Sequence, residues 1–428
     1  MTSTKNSSWL SAVGVLLGLP LALAATRGHA GDWPQILGPA RNGVAVGETL
    51  PAKFPNGGPR TLWTYRLGAG YGGPVVAGKS VLVFHRVNDT ERVEALNADT
   101  GASQWKADFS ATYQGGIDPD IGPRATPVVQ DGRVFVFGAA GDLHCVDFAT
   151  GRKIWSRAAS TDFGSQEGYF GVGSSPIVVD GKVLVNVGGS QGAGIVAFAA
   201  DSGKTVWQAT DEAASYSSPT VATIGGQTHV IFVTRLNCLS LDPANGEVRF
   251  RFPFGQRGPT VNAATPLVFD QNRLFVSAAY NVGAVLAEIT PQGAKSLWSN
   301  DESMSSQYST CVHYQGHLYG VDGREDYSNG KLRCVEAATG NVKWSDDGFG
   351  IAHVLLAGDR LLALKTTGEI VITPATPESF QPLATATVSN SGVTRAIPAF
   401  SNGRLFFRTS ENNAGVLKCV EITGTKKN

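Results

Sequence analysis

The chain has 428 residues, 42% of them hydrophobic and 16% charged, which excludes an intrinsically disordered chain and supplies a sizeable core. Lys+Arg and Asp+Glu balance at 35 each, so the basic excess that a nucleic-acid or anionic-membrane partner leaves is missing. The 52 glycines and 21 prolines follow no Gly-X-Y period and read as the turn residues of an all-β protein.

In chain order, residues 1–30 read as a signal peptide. Lys5 supplies the positive start, residues 9–25 the apolar run, and Gly28-His29-Ala30 the small residues of a cleavage site; Ala22-Leu23-Ala24 is the competing site. No later stretch is long and apolar enough to span a membrane. The expected location is periplasmic or secreted. No cysteine near the cleavage region offers a lipid anchor. Residues 31–60 form a leader segment, and residues 61–428 a single repeat domain.

The repeat is clearest over residues 126–155. Thr126-Pro127-Val128-Val129 opens the unit, Asp131-Gly132 turns it, and Val134-Phe135-Val136-Phe137 follows. Then come Leu143-His144-Cys145-Val146-Asp147, Thr150-Gly151 and Trp155. The apolar runs alternate as strands do, and the glycine pairs supply the positive φ of tight turns. The opening recurs at Pro74, Pro127, Pro176, Pro219, Pro266 and Pro398, with Cys311 and His353 holding the place in two degenerate units. A period of about 45 residues suits four short strands and their turns.

Eight openings predict an eight-bladed β-propeller of four-stranded blades, with seven blades as the runner-up because the unit from His353 is weak. The last unit runs out of chain before its fourth strand, while Thr61-Leu62-Trp63-Thr64-Tyr65 precedes the first opening as an orphan. Pairing the two closes the ring and removes an open edge. Trp63, Trp105, Trp155, Trp207, Trp298 and Trp344 share one repeat position and are expected to wedge between blades. Cys145, Cys238, Cys334 and Cys419 also recur within the repeat, which keeps them apart and predicts buried, unpaired thiols, Cys311 included.

The phrase Leu-x-Cys/Ala-Val-Asp-x-x-Thr-Gly-x-x-x-Trp resembles the repeat of the PQQ-like propeller family. That family includes quinoprotein dehydrogenases and non-enzymatic BamB-type proteins. Asp32-Trp33-Pro34-Gln35-Ile36-Leu37-Gly38-Pro39-Ala40-Arg41-Asn42-Gly43 likewise resembles a leader of exported bacterial proteins of this type. The quinoprotein resemblance implies PQQ with Ca²⁺ and an aspartate base. Active members carry a pair of adjacent cysteines, which this sequence lacks, and no Cys-x-x-Cys-His haem site is present. The acidic runs Asp118-Pro119-Asp120 and Asp322-Gly323-Arg324-Glu325-Asp326 do not have EF-hand spacing and read as solvated loop acids.

The sequence reading is therefore a binding or scaffolding module of the cell envelope, without catalytic residues or a metal site. Its alternative is a small soluble PQQ-dependent oxidoreductase of the alcohol or sugar dehydrogenase type. Residues three positions before the openings should ring the channel mouth: Tyr71, Arg124, Tyr216, Tyr308 and Arg395, with Asn262 and Gln307 one position earlier. They are the candidate ligand-binding residues, gripping a polar or anionic ligand. The loops at 106–124 and 156–173 vary most and nominate the same face for a protein or small polar partner. The chain is expected to act as a monomer.

Overall fold

The computed structural model describes Met1 and residues 31–423, apart from 56, 167, 259, 391, 412 and 413. The proposed signal peptide lies outside the described residues. Thirty-two strands form eight four-stranded antiparallel sheets arranged as a propeller. Blades 1 to 7 cover residues 75–110, 128–157, 177–209, 220–253, 267–300, 312–346 and 352–387. Blade 8 takes its outer strand, Arg60–Leu67, from the start of the domain and its others, Ala399–Ser401, Arg404–Glu411 and Ala414–Glu421, from the end.

This seam is an antiparallel ladder in which Thr61 pairs Val420, Trp63 pairs Cys419 and Leu67 pairs Gly415. The weak unit at His353 is a full blade, so the count is eight.

The core lies between blades. Phe135, Phe137, Cys145 and Trp155 of blade 2 pack on Val183, Val185, Val196 and Phe198 of blade 3. Each repeat tryptophan reaches across such a seam. Trp63 Nε1 donates to Ala98 O at 3.0 Å, Trp105 to Phe148 O at 2.9 Å and Trp155 to Ala200 O at 3.0 Å. Trp207, Trp298 and Trp344 do the same to Pro243, Ala337 and Thr376. For Trp63, Trp105, Trp155, Trp207 and Trp298 the ring lies against a turn glycine of the next blade: Gly101, Gly151, Gly203, Gly246 and Gly340. An added Cβ on Gly203, at φ +68°, would stand 2.7 Å from Trp155. The glycine thus serves a left-handed turn and a close approach together.

The pairing of third and fourth strands slips by a bulge in every blade except blade 7, including blade 4, where Phe250 stands in for the tryptophan. All five cysteines are buried and free.

The leader crosses the far end of the central channel and pins the inner strand edges. Trp33 exchanges two backbone hydrogen bonds with Val76 of blade 1, and Pro34 O accepts from Val129 N of blade 2. Gly43 O accepts from Leu356 N of blade 7, Ala45 N donates back to Leu356 O, and the Glu48 carboxylate accepts from Gly403 N of blade 8 at 3.1 Å. Arg41 is 1% exposed. Its guanidinium donates to Pro219 O at 2.9 Å, to Pro176 O, and through Nε to Gln35 at 2.8 Å. These acceptors are neutral, and burial lowers the Arg41 pKa to about 9. The inner strands would otherwise present unpaired edges to the channel.

Candidate functional site

Opposite the leader, the loop-bearing end of the channel holds a cavity of about 890 Å³. Ile36 of the leader lies at its lining, so the channel is a blind funnel at that point. Before five of the eight openings stands a Ser or Thr (Thr126, Ser175, Ser218, Thr265 and Thr310), and four of these hydroxyls fix the wall. Gly73 N donates to Thr126 Oγ1, Thr126 N to Ser175 Oγ, Ser175 N to Ser218 Oγ, and Thr265 N to Thr310 Oγ1. This belt of buried hydroxyls joins blade to blade. It was readable in the sequence as a Ser or Thr before the repeated proline.

Of the seven candidates, Tyr71, Arg124, Tyr216, Gln307, Tyr308 and Arg395 line the cavity. Asn262 does not. It is buried, and its amide donates to Thr234 O at 2.8 Å, with Arg235 O and Phe254 O at 3.3 Å. Its amide satisfies backbone carbonyls of the neighbouring loops, whereas Gln307, at the same place in the next unit, reaches the funnel. Tyr216 is seated by Gly173, where any Cβ would strike its ring, and its hydroxyl accepts from Phe170 N at 2.9 Å. Burial pushes the Tyr216 phenol up to about 12.

The acidic runs are part of this site, contrary to their reading as solvated acids. Asp118, Glu325 and Asp326 line the cavity. Arg395 Nε donates to Glu325 Oε2 at 2.8 Å, and Arg395 Nη1 stands 3.1 Å from the Tyr71 hydroxyl and 3.5 Å from Asp118. Burial works against its charge, yet Glu325 holds the Arg395 pKa above its ordinary value. Tyr71 O–H donates in turn to Asp118 at 3.3 Å, and Tyr308 O–H to Glu325 Oε2 at 3.1 Å.

Arg124 turns back onto the carbonyls of Gly122 and Asp120, and its guanidinium and that of Arg395 flank the Tyr71 ring at 5.6 and 5.5 Å. Arg324 pairs with Asp326 and lies 4.1 Å from the Tyr280 ring centroid. Each of these arginines already has protein partners, so an anionic ligand would compete with Asp118, Glu325 and Asp326 for them.

The wall between blades 1 and 3 comes from the two variable loops. Ile117 N donates to Tyr169 O at 3.2 Å, tying them together. They leave Ile117 68% and Tyr169 44% exposed, an apolar lip above the funnel. In the opposite wall His353 Nε2–H donates to Arg395 O at 2.7 Å, and burial lowers its pKa to about 4, so the ring is neutral.

A family model described as outer membrane protein assembly factor BamB matches residues 89–346. The chain belongs to this family of PQQ-like propellers. Its curated relatives include BamB of Yersinia pestis, 22% identical over 391 residues, covering 76% of this chain and 92% of that protein. BamB of Burkholderia pseudomallei (strain K96243) is 29% identical over 153 residues. That match covers 35% of this chain and 36%, about a third, of the relative's length.

Among solved structures, BamB from Moraxella catarrhalis aligns with a TM-score of 0.62 and 16% identity, over 86% of this chain and 99% of that one. Quinohemoprotein alcohol dehydrogenase from Comamonas testosteroni aligns with a TM-score of 0.68 and 14% identity, over 94% and 82%. These structures share the propeller fold with this BamB-family chain.

The residues present do not fit a quinone held over Ca²⁺. Among the described residues no three His, Cys, Asp or Glu side chains converge as metal ligands. The carboxylates that line the funnel are each paired with Arg395 or Arg324. The cysteines lie singly in separate strands, buried and distant from one another in the chain.

Proposed function

We propose that this chain is an exported binding and scaffolding module of the cell envelope, acting in the assembly of outer membrane proteins. The observation that carries the reading is the funnel mouth. It is a preformed recess whose ionic groups hold one another in place, overhung by an apolar lip on two variable loops. Rigid recesses with variable loops on one face are suited to holding a partner. No described helix is long and apolar enough to cross a membrane. The module acts as a monomer and receives a protein or a small polar ligand at this end.

The test is genetic and biochemical. Removing the gene from its host lowers the folded outer membrane proteins recovered from the envelope, and the wild-type gene restores them. Ile117→Asp, an exposed change that leaves the melting temperature alone, restores them poorly. Unchanged outer membrane proteins in the deletion strain would refute the assembly role. Stoichiometric retention of PQQ with Ca²⁺, together with dye reduction by alcohols or sugars, would favour the oxidoreductase reading instead.

A further inference from the structure

We infer that the funnel binds a short neutral oligosaccharide, held and not chemically altered. The inference rests on the reading of the mouth as the binding site and adds the chemistry of the ligand.

Charge comes first. Three carboxylates, Asp118, Glu325 and Asp326, face three guanidiniums, Arg124, Arg324 and Arg395, around one cavity. They neutralise one another through the pairs described above, or, for Arg124, lean on Asp120 at 3.9 Å as well as on backbone carbonyls. A charged ligand would have to break such a pair to gain a partner of its own. Leaving a half-buried charge unmatched costs more than the new contact returns. A neutral ligand leaves the pairs whole.

Hydrogen-bonding capacity comes second. Among the described residues, Glu325 Oε1 and Arg395 Nη2 have no hydrogen-bond partner, although Glu325 Oε2 and Arg395 Nε are bonded to each other. One ion pair therefore offers a spare acceptor beside a spare donor. A hydroxyl group both donates and accepts, and neighbouring hydroxyls on a sugar ring can serve the two atoms together. An apolar ligand would bury both atoms unsatisfied.

Shape comes third. Tyr169 and Phe170 stand at the cavity on the opposite wall, Tyr169 with 44% of its surface free, and Phe170 meets Tyr216 edge-on at 5.5 Å. Such aromatic surfaces present a large apolar area at low conformational cost. The apolar C–H face of a pyranose can lie on them while its hydroxyls reach the ion pair. A volume of about 890 Å³ accepts a ligand of trisaccharide size.

The experiment is a titration of the purified protein by calorimetry and saturation-transfer NMR with chitotriose, cellotriose and maltotriose. Trigalacturonate and the peptide Gly-Tyr-Gly are run in parallel. The expected result is saturable binding of at least one neutral trisaccharide, with an affinity that does not change as salt is raised. Tyr169→Ala weakens it about tenfold or more without shifting the melting temperature, and Glu325→Gln weakens it as much with only a small drop in melting temperature.

Failure of all three neutral sugars to bind, or preference for trigalacturonate or the peptide, would overturn the inference. If that happens while Ile117→Asp still impairs outer membrane assembly, the mouth keeps its role and only the sugar is refuted. If sugar binds and assembly is unaffected by the gene, the assembly role fails and the sugar site stands.

Discussion

Arg395, on the approach to blade 8, donates from Nε to Glu325 of blade 6 across 2.8 Å, so one ion pair spans the funnel mouth over the top of blade 7. The pair is partly exposed, and screening limits its worth to about 1 kcal/mol. A double-mutant cycle of Arg395→Ala and Glu325→Ala, followed by urea unfolding, should give a coupling of about that size, falling at high salt.

Arg41 should matter far more. Arg41→Ala leaves Pro176 O, Pro219 O and Gln35 without their donor and opens a gap beneath the funnel. We expect a loss of about 2–4 kcal/mol in urea unfolding, with Arg41→Lys recovering only part because it lacks the planar fork. Limited proteolysis should then cut within residues 31–50 in the Ala variant before it cuts the blades.

Two glycines with the same backbone should respond differently to alanine. Gly203 (φ +68°) and Gly181 (φ +70°) both sit in left-handed turns, but only Gly203 has an indole against it; nothing lies within 4 Å of a Cβ on Gly181. Gly181→Ala should cost about 1 kcal/mol, the backbone penalty alone. Gly203→Ala should cost about 1–3 kcal/mol more by overpacking Trp155. Thermal melts of the two variants side by side give the answer.

Glu91 supplies a pH dependence. Its carboxylate is buried at the seam of blades 1 and 2, where it accepts from Ala139 N at 2.8 Å, and burial raises its pKa to about 7. The folded state therefore holds this proton when the unfolded chain has lost it. Its contribution to stability is full below the ordinary carboxylate range and is lost as pH rises through about 7.

Glu91→Gln keeps the hydrogen bond and removes the titration. Relative to that variant, the wild type should lose up to about 3 kcal/mol between pH 5 and pH 8, order-of-magnitude only. The buried histidines titrate in both proteins and cancel in the comparison. Glu94 does not interfere: burial opposes its charge, but hydrogen bonds from His85, Tyr65 and Ser103 bring its pKa to about 2.

The propeller was legible because its information is repeated. Trp63 and Cys419 hold the tryptophan and cysteine places of one split phrase, which foretold that the two chain ends share a sheet, and they pair as Trp155 and Cys145 do. Blade 7 was obscure for the same reason: Leu383 stands near the tryptophan position, and the strand Ala384–Thr387 pairs without the bulge found in the other blades.

The funnel was half legible. Tyr71, Arg124 and Arg395 could be placed by counting back from an opening, because the inner strands start in register. Asp118 and Glu325 belong to loops outside that register, and nothing local says that a loop acid will meet an arginine far away in the chain. Asn262 shows the limit of counting, since Gln307 at the same offset lines the funnel while the Asn262 amide is held by the carbonyls behind it. The leader was opaque: it has no alternating pattern, and its contacts fall on several blades in turn.

The ladder between Arg60–Leu67 and Ala414–Glu421 sets an order of events in biogenesis. The first of these strands is among the earliest parts of the domain to be synthesised, and the second is among the last. A chain leaving the ribosome must carry the early strand unpaired until nearly all the rest has followed. Bringing ends so far apart together costs about 5 kcal/mol of chain entropy before any contact repays it. Interrupted synthesis or a nick near the end would therefore strand an open sheet edge, the kind that recruits other chains. Quality control in the compartment where this protein matures has one late, decisive step to monitor.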